Sequence, residues 1–393
     1  MNRRDFIKNS AFASTALMIP GFLSAQFPSL TKKGKRLVVI QLSGGNDGLN
    51  TVVPFRNDMY YKNRPILGIP KSKLNTITTE VGFHPELKSM AKLFEKGDLL
   101  VINGVGYPNP NRSHFRSMDI WHSASDSNKH LQTGWIGRYL DQHSNSENNL
   151  TKAIEIDGSL SLALKGKENK ALAIQNIKQF HRMSKSKLNR FLIDQHDFEH
   201  QNHAYLYKTL RQTVNASDYI EEKLRLNSKL SSFPVNKLGK QLKTIANMMV
   251  SGLDTSVYYA SISGFDTHVN QLNAQARLLK IIDESLSTFI STLKKENLWN
   301  DTLIMVFSEF GRRVKENGSR GTDHGSGNQL FLLSGALKQQ GFYNAMPDLS
   351  KLDNGDIAMQ VDFRSVYATI LNNWLDTNDS QVLGEKFQNL NFV

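Results

Sequence analysis

Cysteine is missing from the 393-residue sequence, and with it go disulfide frameworks, thiolate zinc sites, iron–sulfur clusters and cysteine nucleophiles. Any metal must be held by His, Asp, Glu, Asn or Ser. Acidic residues are the scarcer charge, 36 Asp and Glu against 48 Lys and Arg, for a formal net charge of +12. Such an excess suits nucleic acid, anionic membranes or anionic substrates. No apolar run reaches the roughly 20 residues that span a bilayer. No repeat of about 20 to 50 residues is present either, which disfavours solenoids and propellers. What is there is an ordinary globular composition, 39% hydrophobic, 21% charged and 9% aromatic, long enough for one large domain or two small ones.

Residues 1–25 read as an export signal. Arg3-Arg4-Asp5-Phe6-Ile7-Lys8, an apolar run over 11–23 and Leu23-Ser24-Ala25 supply its charged, apolar and small-residue parts. The arginine pair closely resembles the twin-arginine motif, an address read by a bacterial machinery that exports folded proteins. Cleavage after Ala25 leaves no stable membrane anchor and places the mature chain in the periplasm or otherwise outside the cytoplasm. Nucleic acid is then not an expected partner, and an extracytoplasmic anion is. Residues 26–36, ending Thr31-Lys32-Lys33-Gly34-Lys35-Arg36, read as a solvated basic linker.

From Leu37 onward, short β-branched runs end in Gly-rich or polar turns, as buried strands do. They cover 37–42 before Ser43-Gly44-Gly45-Asn46-Asp47-Gly48, 99–102 before Gly104-Val105-Gly106, 256–260 before Gly264-Phe265-Asp266, 302–307 before Ser308-Glu309, and 329–333 before Gly335. Helical spacing falls between them. One helix is expected over 84–95 with Pro85 in its first turn, and one over 270–297 with Leu272, Ala276, Leu279, Ile282, Leu286, Phe289 and Leu293 on one face. The alternation predicts an α/β fold over 37–393, a three-layer α/β/α sandwich with a mainly parallel sheet. Residues from about 160 to 235, polar and rich in Lys, Asn and Gln, read as a helical insertion.

Ligands of such sheets sit beyond the carboxyl ends of the strands, and the polar clusters fall there. Asp47 follows the first run, Asn111-Arg112-Ser113-His114 lies beyond the second, Asp266-Thr267-His268 follows the third and Glu309 the fourth, while Asp323-His324 precedes the fifth. Parallel strands would gather these groups at one edge, and carboxylate and imidazole at that density suit zinc, manganese, calcium or magnesium. Arg112, Arg312, Arg313 and Arg320 flank the same loops and would complement a phosphate or sulfate. Each piece alone has a plainer use. The Gly44-Gly45-Asn46-Asp47-Gly48 string suits a turn, and Ser113 suits the cap of a helix starting at His114.

Five strings carry a resemblance: Leu42-Ser43-Gly44-Gly45-Asn46-Asp47-Gly48-Leu49-Asn50, Gly106-Tyr107-Pro108-Asn109-Pro110-Asn111-Arg112-Ser113-His114-Phe115, Gly264-Phe265-Asp266-Thr267-His268, Ser308-Glu309-Phe310-Gly311-Arg312 and Gly321-Thr322-Asp323-His324-Gly325. They resemble the bacterial family called domain of unknown function 1501, itself similar to a distant branch of the alkaline phosphatase and sulfatase superfamily. That resemblance implies an α/β/α sandwich and a metal-dependent hydrolase of phosphate or sulfate esters, acting on an anionic small molecule or polysaccharide. By chain order it implies Asp47, Asp266, His268, Glu309 and His324 as metal ligands. It makes Ser113 the nucleophile, with Arg112 beside it. Asn46, His114, Arg312, Arg320 and Asp323 become outer residues that orient ligands or hold the anion, with Asp323 orienting the His324 ring. Glu309-Phe310 stands where the superfamily places Asp-His, so one metal is expected rather than two.

Two other readings stand beside this one. A catalytically degenerate member that binds anionic polysaccharide or another envelope protein would also account for Glu309-Phe310. The string His196-Asp197-Phe198-Glu199-His200 fits the inverted zinc-peptidase pattern, with His203 on nearly the same face. A solvated, His-rich helix face is the commoner use of such a segment.

Overall fold

The computed structural model describes residues 34–143, 149–169, 171–186, 189, 201–225, 230 and 232–393. Residues 1–25, read as an export signal, and His196, Glu199 and His200 lie outside these. Nine described strands form the main sheet: β1 (Arg36–Ser43), β2 (Leu99–Gly106), β3 (Ala153–Glu155), β4 (Leu172–Ala173), β5 (Val257–Ser263), β6 (Thr302–Phe307), β7 (Asn328–Leu333), β8 (Gly341–Phe342) and β9 (Val361–Asp362). Their order is β8-β2-β7-β6-β1-β5-β3-β4, with β9 also on β2. Every pairing is parallel except the two made by β7, which runs against β2 and β6.

Burial on both faces explains why these strands read as near-continuous apolar runs. In β1, Val38, Ile40 and Leu42 join one core and Leu37 and Val39 the other. The principal helices, in chain order, are α1 (Lys88–Glu95), α2 (His114–Ser123), α3 (Trp135–Gln142), α4 (Ile177–Ser184), α5 (Gln201–Arg225), α6 (Lys237–Val250), α7 (Gln271–Lys295) and α8 (Phe363–Thr369). Helices α1, α6 and α7 share the core of Val38, while α2, α3 and α8 share that of Leu37. The result is a three-layer α/β/α sandwich.

Four expectations change. Arg36 is buried as the first residue of β1, and its carbonyl accepts the Trp374 indole N–H at 2.9 Å, so the linker ends before it. The helix expected over 84–95 begins only at Lys88, because His84 accepts the Glu86 N–H through Nδ1 and folds the preceding segment into a turn. At the start of α7, Gln271 and Gln275 are buried while Leu272 is exposed, since Asp47 lies on that side. The insertion is narrower than 160–235: Leu172–Ala173 is the edge strand of the main sheet, and Ala216 and Ile220 of α5 join its core. Among the described residues no helix is long and apolar enough to cross a membrane.

Candidate metal centre

Because β1, β2, β5 and β6 are parallel, their carboxyl ends share one edge, and the antiparallel β7 starts from that edge too. The connection from β6 to β7 therefore leaves and returns at the same place. It folds on itself, with Arg312 and His324 forming an antiparallel bridge and the Gly325 N–H donating to Gly311 O at 2.8 Å. This brings Asp323 and His324 beside Asp266 and His268 of the β5 loop. From the other side comes α2. Trp121, stacked between Phe307 and Phe363 at centroid distances of 4.8 and 4.3 Å, fixes that helix on the sheet. The Ser117 hydroxyl donates to Glu309 O at 2.6 Å. Its first residue, His114, thereby enters the cluster.

Three imidazoles aim one nitrogen at a single carboxylate oxygen. The Nε2 atoms of His268, His324 and His114 lie 3.0, 3.1 and 3.4 Å from Asp266 Oδ1. Each Nδ1 faces an oxygen that can only accept: His114 meets Glu309 Oε1 at 2.8 Å, His268 meets Asp323 Oδ1 at 3.1 Å, and His324 meets the Arg112 carbonyl at 2.8 Å. Each Nδ1 must then carry the proton, which leaves a lone pair on Nε2 in the neutral ring. This is the arrangement in which histidines hold metals, one nitrogen on the ion and the other anchored by a carboxylate or carbonyl. His114, Asp266 and His324 have donor atoms all within 4.8 Å of one another, and His268 Nε2 lies 2.9 Å from that of His324.

The donors fit a cation. The His114 Nε2 atom is buried without a hydrogen-bond partner, an expensive state for a polar atom. Two bare imidazole lone pairs at 2.9 Å repel, and a cation shared between them would relieve that repulsion. The Glu309 hydrogen bond is the largest influence on His114 and, with the charges of Glu309 and Asp266, raises its pKa against the opposing effect of burial. Partial burial works to raise the Asp266 carboxyl, but the hydrogen bond and charge of Arg312 outweigh it and hold that group well below the usual carboxylate range. Asp266 Oδ2 accepts no bond among the described residues.

The residues expected at the site divide sharply. Asp47 is not brought into the cluster. Both its oxygens face Arg64, at 2.6 and 2.9 Å, and Oδ2 also accepts from Gln271. Arg64 is itself fully buried and places its five donors on Asp47, Asn50 and the carbonyls of Arg313 and Val314. Glu309 stands one step out, accepting from His114 and from the Gly44 N–H at 2.8 Å. Asp323 orients His268 rather than His324. Arg312 points inward, to the carbonyls of Gly44, Gly45, Phe265 and Thr322 and to Asp266, and so offers nothing to an anion outside. Asn46 is buried on Ser308 and Thr51. The Arg320 side chain is exposed, and among the described residues only its carbonyl is engaged, by Gln271 N.

Arg112 gives two donors to Asp356 and remains 40% exposed. Ser113 occupies the cap position of α2, yet its hydroxyl makes no capping bond. Phe310 packs against the rings of His114 and His324 at 4.7 and 4.9 Å, filling with carbon the place where a further ligand was missed. Gly44 has φ +118, and a Cβ there would lie 2.5 Å from Asp266 N, so the close approach of the β1 and β5 loops requires glycine. Sequence reasoning missed Arg64, Gln271 and Gln275. The pair of glutamines four apart on an otherwise apolar helix face was the available signal.

The histidine-rich cluster lies at the carboxyl edge of the sheet, where open α/β sheets bind their ligands. The chain belongs to the family described as "Protein of unknown function (DUF1501)", matched over residues 100–389. Among solved structures it is similar to the lipoteichoic acid synthase LtaP from Listeria monocytogenes, at 11% identity over 83% of this chain and 74% of that one, with a TM-score of 0.38. The C-terminal periplasmic domain of EcEptC from Escherichia coli, in complex with Zn, is similar at 9% identity over 78% and 75%, with a TM-score of 0.34. The PsFucS1 sulfatase from Pseudoalteromonas sp. is similar at 11% over 90% and 68%, with a TM-score of 0.37. No curated protein matches the sequence.

Proposed function

We propose that the protein is an exported hydrolase of phosphate or sulfate esters that uses one divalent metal held by His114, Asp266, His324 and His268. The observation that carries this reading is the convergence of three Nδ1-anchored imidazoles on Asp266. A donor set dominated by nitrogen favours zinc over manganese, calcium and magnesium, which prefer oxygen. Bound there, the ion would supply charge stabilisation to an ester oxygen. Ser113, adjoining His114 and with its hydroxyl free of the helix, is the group that would attack phosphorus or sulfur while the bond to the alcohol oxygen breaks, its hydroxyl proton passing to the departing alcohol. Water then releases phosphate or sulfate. Arg112 keeps one guanidinium nitrogen outside the Asp356 pair for a non-bridging oxygen.

Elemental analysis of natively exported protein, with aryl phosphate, phosphodiester and sulfate assays on wild type, Ser113→Ala and His324→Ala, tests the reading. Expected are one metal per chain, loss of metal and activity in His324→Ala, and loss of activity alone in Ser113→Ala. Metal-free protein indifferent to chelators sinks it. Export is tested separately: Arg3→Lys with Arg4→Lys should hold the protein in the cytoplasm.

A second reading has its own observation. Arg312 is buried in internal hydrogen bonds, which leaves the site poorer in free guanidinium than an ester hydrolase needs. A binding protein that retains the metal fits this, and metal uptake with silence on every ester would favour it.

A further inference from the structure

Next to the cluster lies a cavity of about 510 Å³ walled by Asn109, Asn111, Arg112, Asp353, Asn354 and Asp356, within the range of small-ligand sites. It shares Arg112 with the candidate metal centre, because the Arg112 carbonyl anchors His324 while its side chain lines the cavity. The opposite wall is a tight hairpin in which Leu352 pairs with Ile357 and Asp353 with Asp356. Asn354 and Gly355 form its turn at φ +52 and +88, the left-handed pair that a two-residue hairpin turn demands. The wall is therefore rigid, and Pro110 is the one lining residue with a purely carbon side chain.

Asp356 is the feature that needs explaining. Its side chain is 1% exposed, Oδ2 is held by Arg112, and Oδ1 is buried without a hydrogen bond, though Arg313 Nε forms an ion pair with it at 3.7 Å. A buried carboxylate oxygen left so calls for a donor. The lining side chains are amides, carboxylates, a guanidinium and a hydroxyl beside Pro110, a set that favours a ligand able to hydrogen-bond at several points. Asp353 and Asp356 against Arg112 disfavour a second anionic group. Those features fit a neutral molecule dense in hydroxyl groups.

We infer that this cavity binds the alcohol portion of the ester, a neutral saccharide, with Asp356 Oδ1 accepting one of its hydroxyls. The inference rests on the ester-hydrolase reading for its role but not for its binding, so the test measures binding directly. Saturation-transfer NMR and calorimetry on the full exported protein would use glucose, galactose, mannose, fucose, xylose and N-acetylglucosamine, alongside calcium chloride. At least one sugar is expected to bind. Asp356→Asn should weaken it about tenfold or more, the scale of a lost charged hydrogen bond, without changing the metal content. Asn354→Gly, which keeps the left-handed turn unstrained, should do the same by removing an amide. Absence of binding by every sugar overturns the inference, as does binding that survives both substitutions. Calcium binding lost in Asp356→Asn, with no sugar bound, would make it a cation site instead. If sugar binding behaves as expected while the protein proves metal-free and inert toward esters, the hydrolase reading fails and the saccharide site stands.

Discussion

Asp47 and Arg64 are both removed from water, so neither can lose its partner cheaply. Arg64→Met is expected to lower stability by about 3–5 kcal/mol, because it leaves a buried carboxylate uncompensated. Thermal melting measures the loss, and the folded fraction should keep its metal, since Asp47 serves the fold and not the cluster. Glu309→Gln has the reverse profile. It keeps an acceptor for Gly44 and His114 but removes the charge that raises His114 basicity, and metal affinity should fall about 10–100-fold in a competitive chelator titration. The difference between these two acids was hidden in the sequence. Both follow strands, but Asp47 is claimed by an arginine seventeen positions on, beyond the short helix Asp58–Asn63, and nothing in the local string announces that. Asp266, His268, Asp323 and His324 were legible together because two short motifs sit on adjacent loops. That His114 would join them depended on which way α2 leaves its first turn.

Helix starts separate a structural serine from a chemical one. The Ser113 hydroxyl caps nothing, so Ser113→Ala should change Tm little. Asn236, whose side chain accepts the Gly239 N–H at 2.7 Å at the start of α6, should cost about 1 kcal/mol when replaced by Ala. Melting both variants side by side is the check, and a Ser113→Ala loss as large as that of Asn236→Ala would return Ser113 to a capping role. The strands themselves were readable as buried runs, since β-branched residues on both faces leave little ambiguity. The direction of β7 was not, because an apolar run carries no polarity. Edge strand β4, only Leu172–Ala173, was too short to stand out from its polar surroundings.

Two buried groups under the sheet give the whole molecule a pH signature. Burial pushes Glu155 up to about 7 and pulls His122 down to about 4. A carboxyl raised above its unfolded value of 4.5 favours folding when protonated, so its contribution is lost as pH rises through about 7. A histidine depressed below 6.5 contributes above that value and loses its contribution as pH falls toward 4. Glu155→Gln should therefore raise Tm at pH 8, by at most about 3 kcal/mol of stability, with the gain gone by pH 4.5. Melting curves across that range decide it. A different consequence follows from the return of β7 to the site edge. The loop that carries Glu309 and His324 is closed locally, but His114 meets Glu309 across 195 residues, and contacts that distant form late in folding. The full set of donors exists only once the chain from α2 to β7 has been made and the sheet has closed. Under the proposed export of the folded chain, the choice among available cations would be made in the compartment where folding finishes.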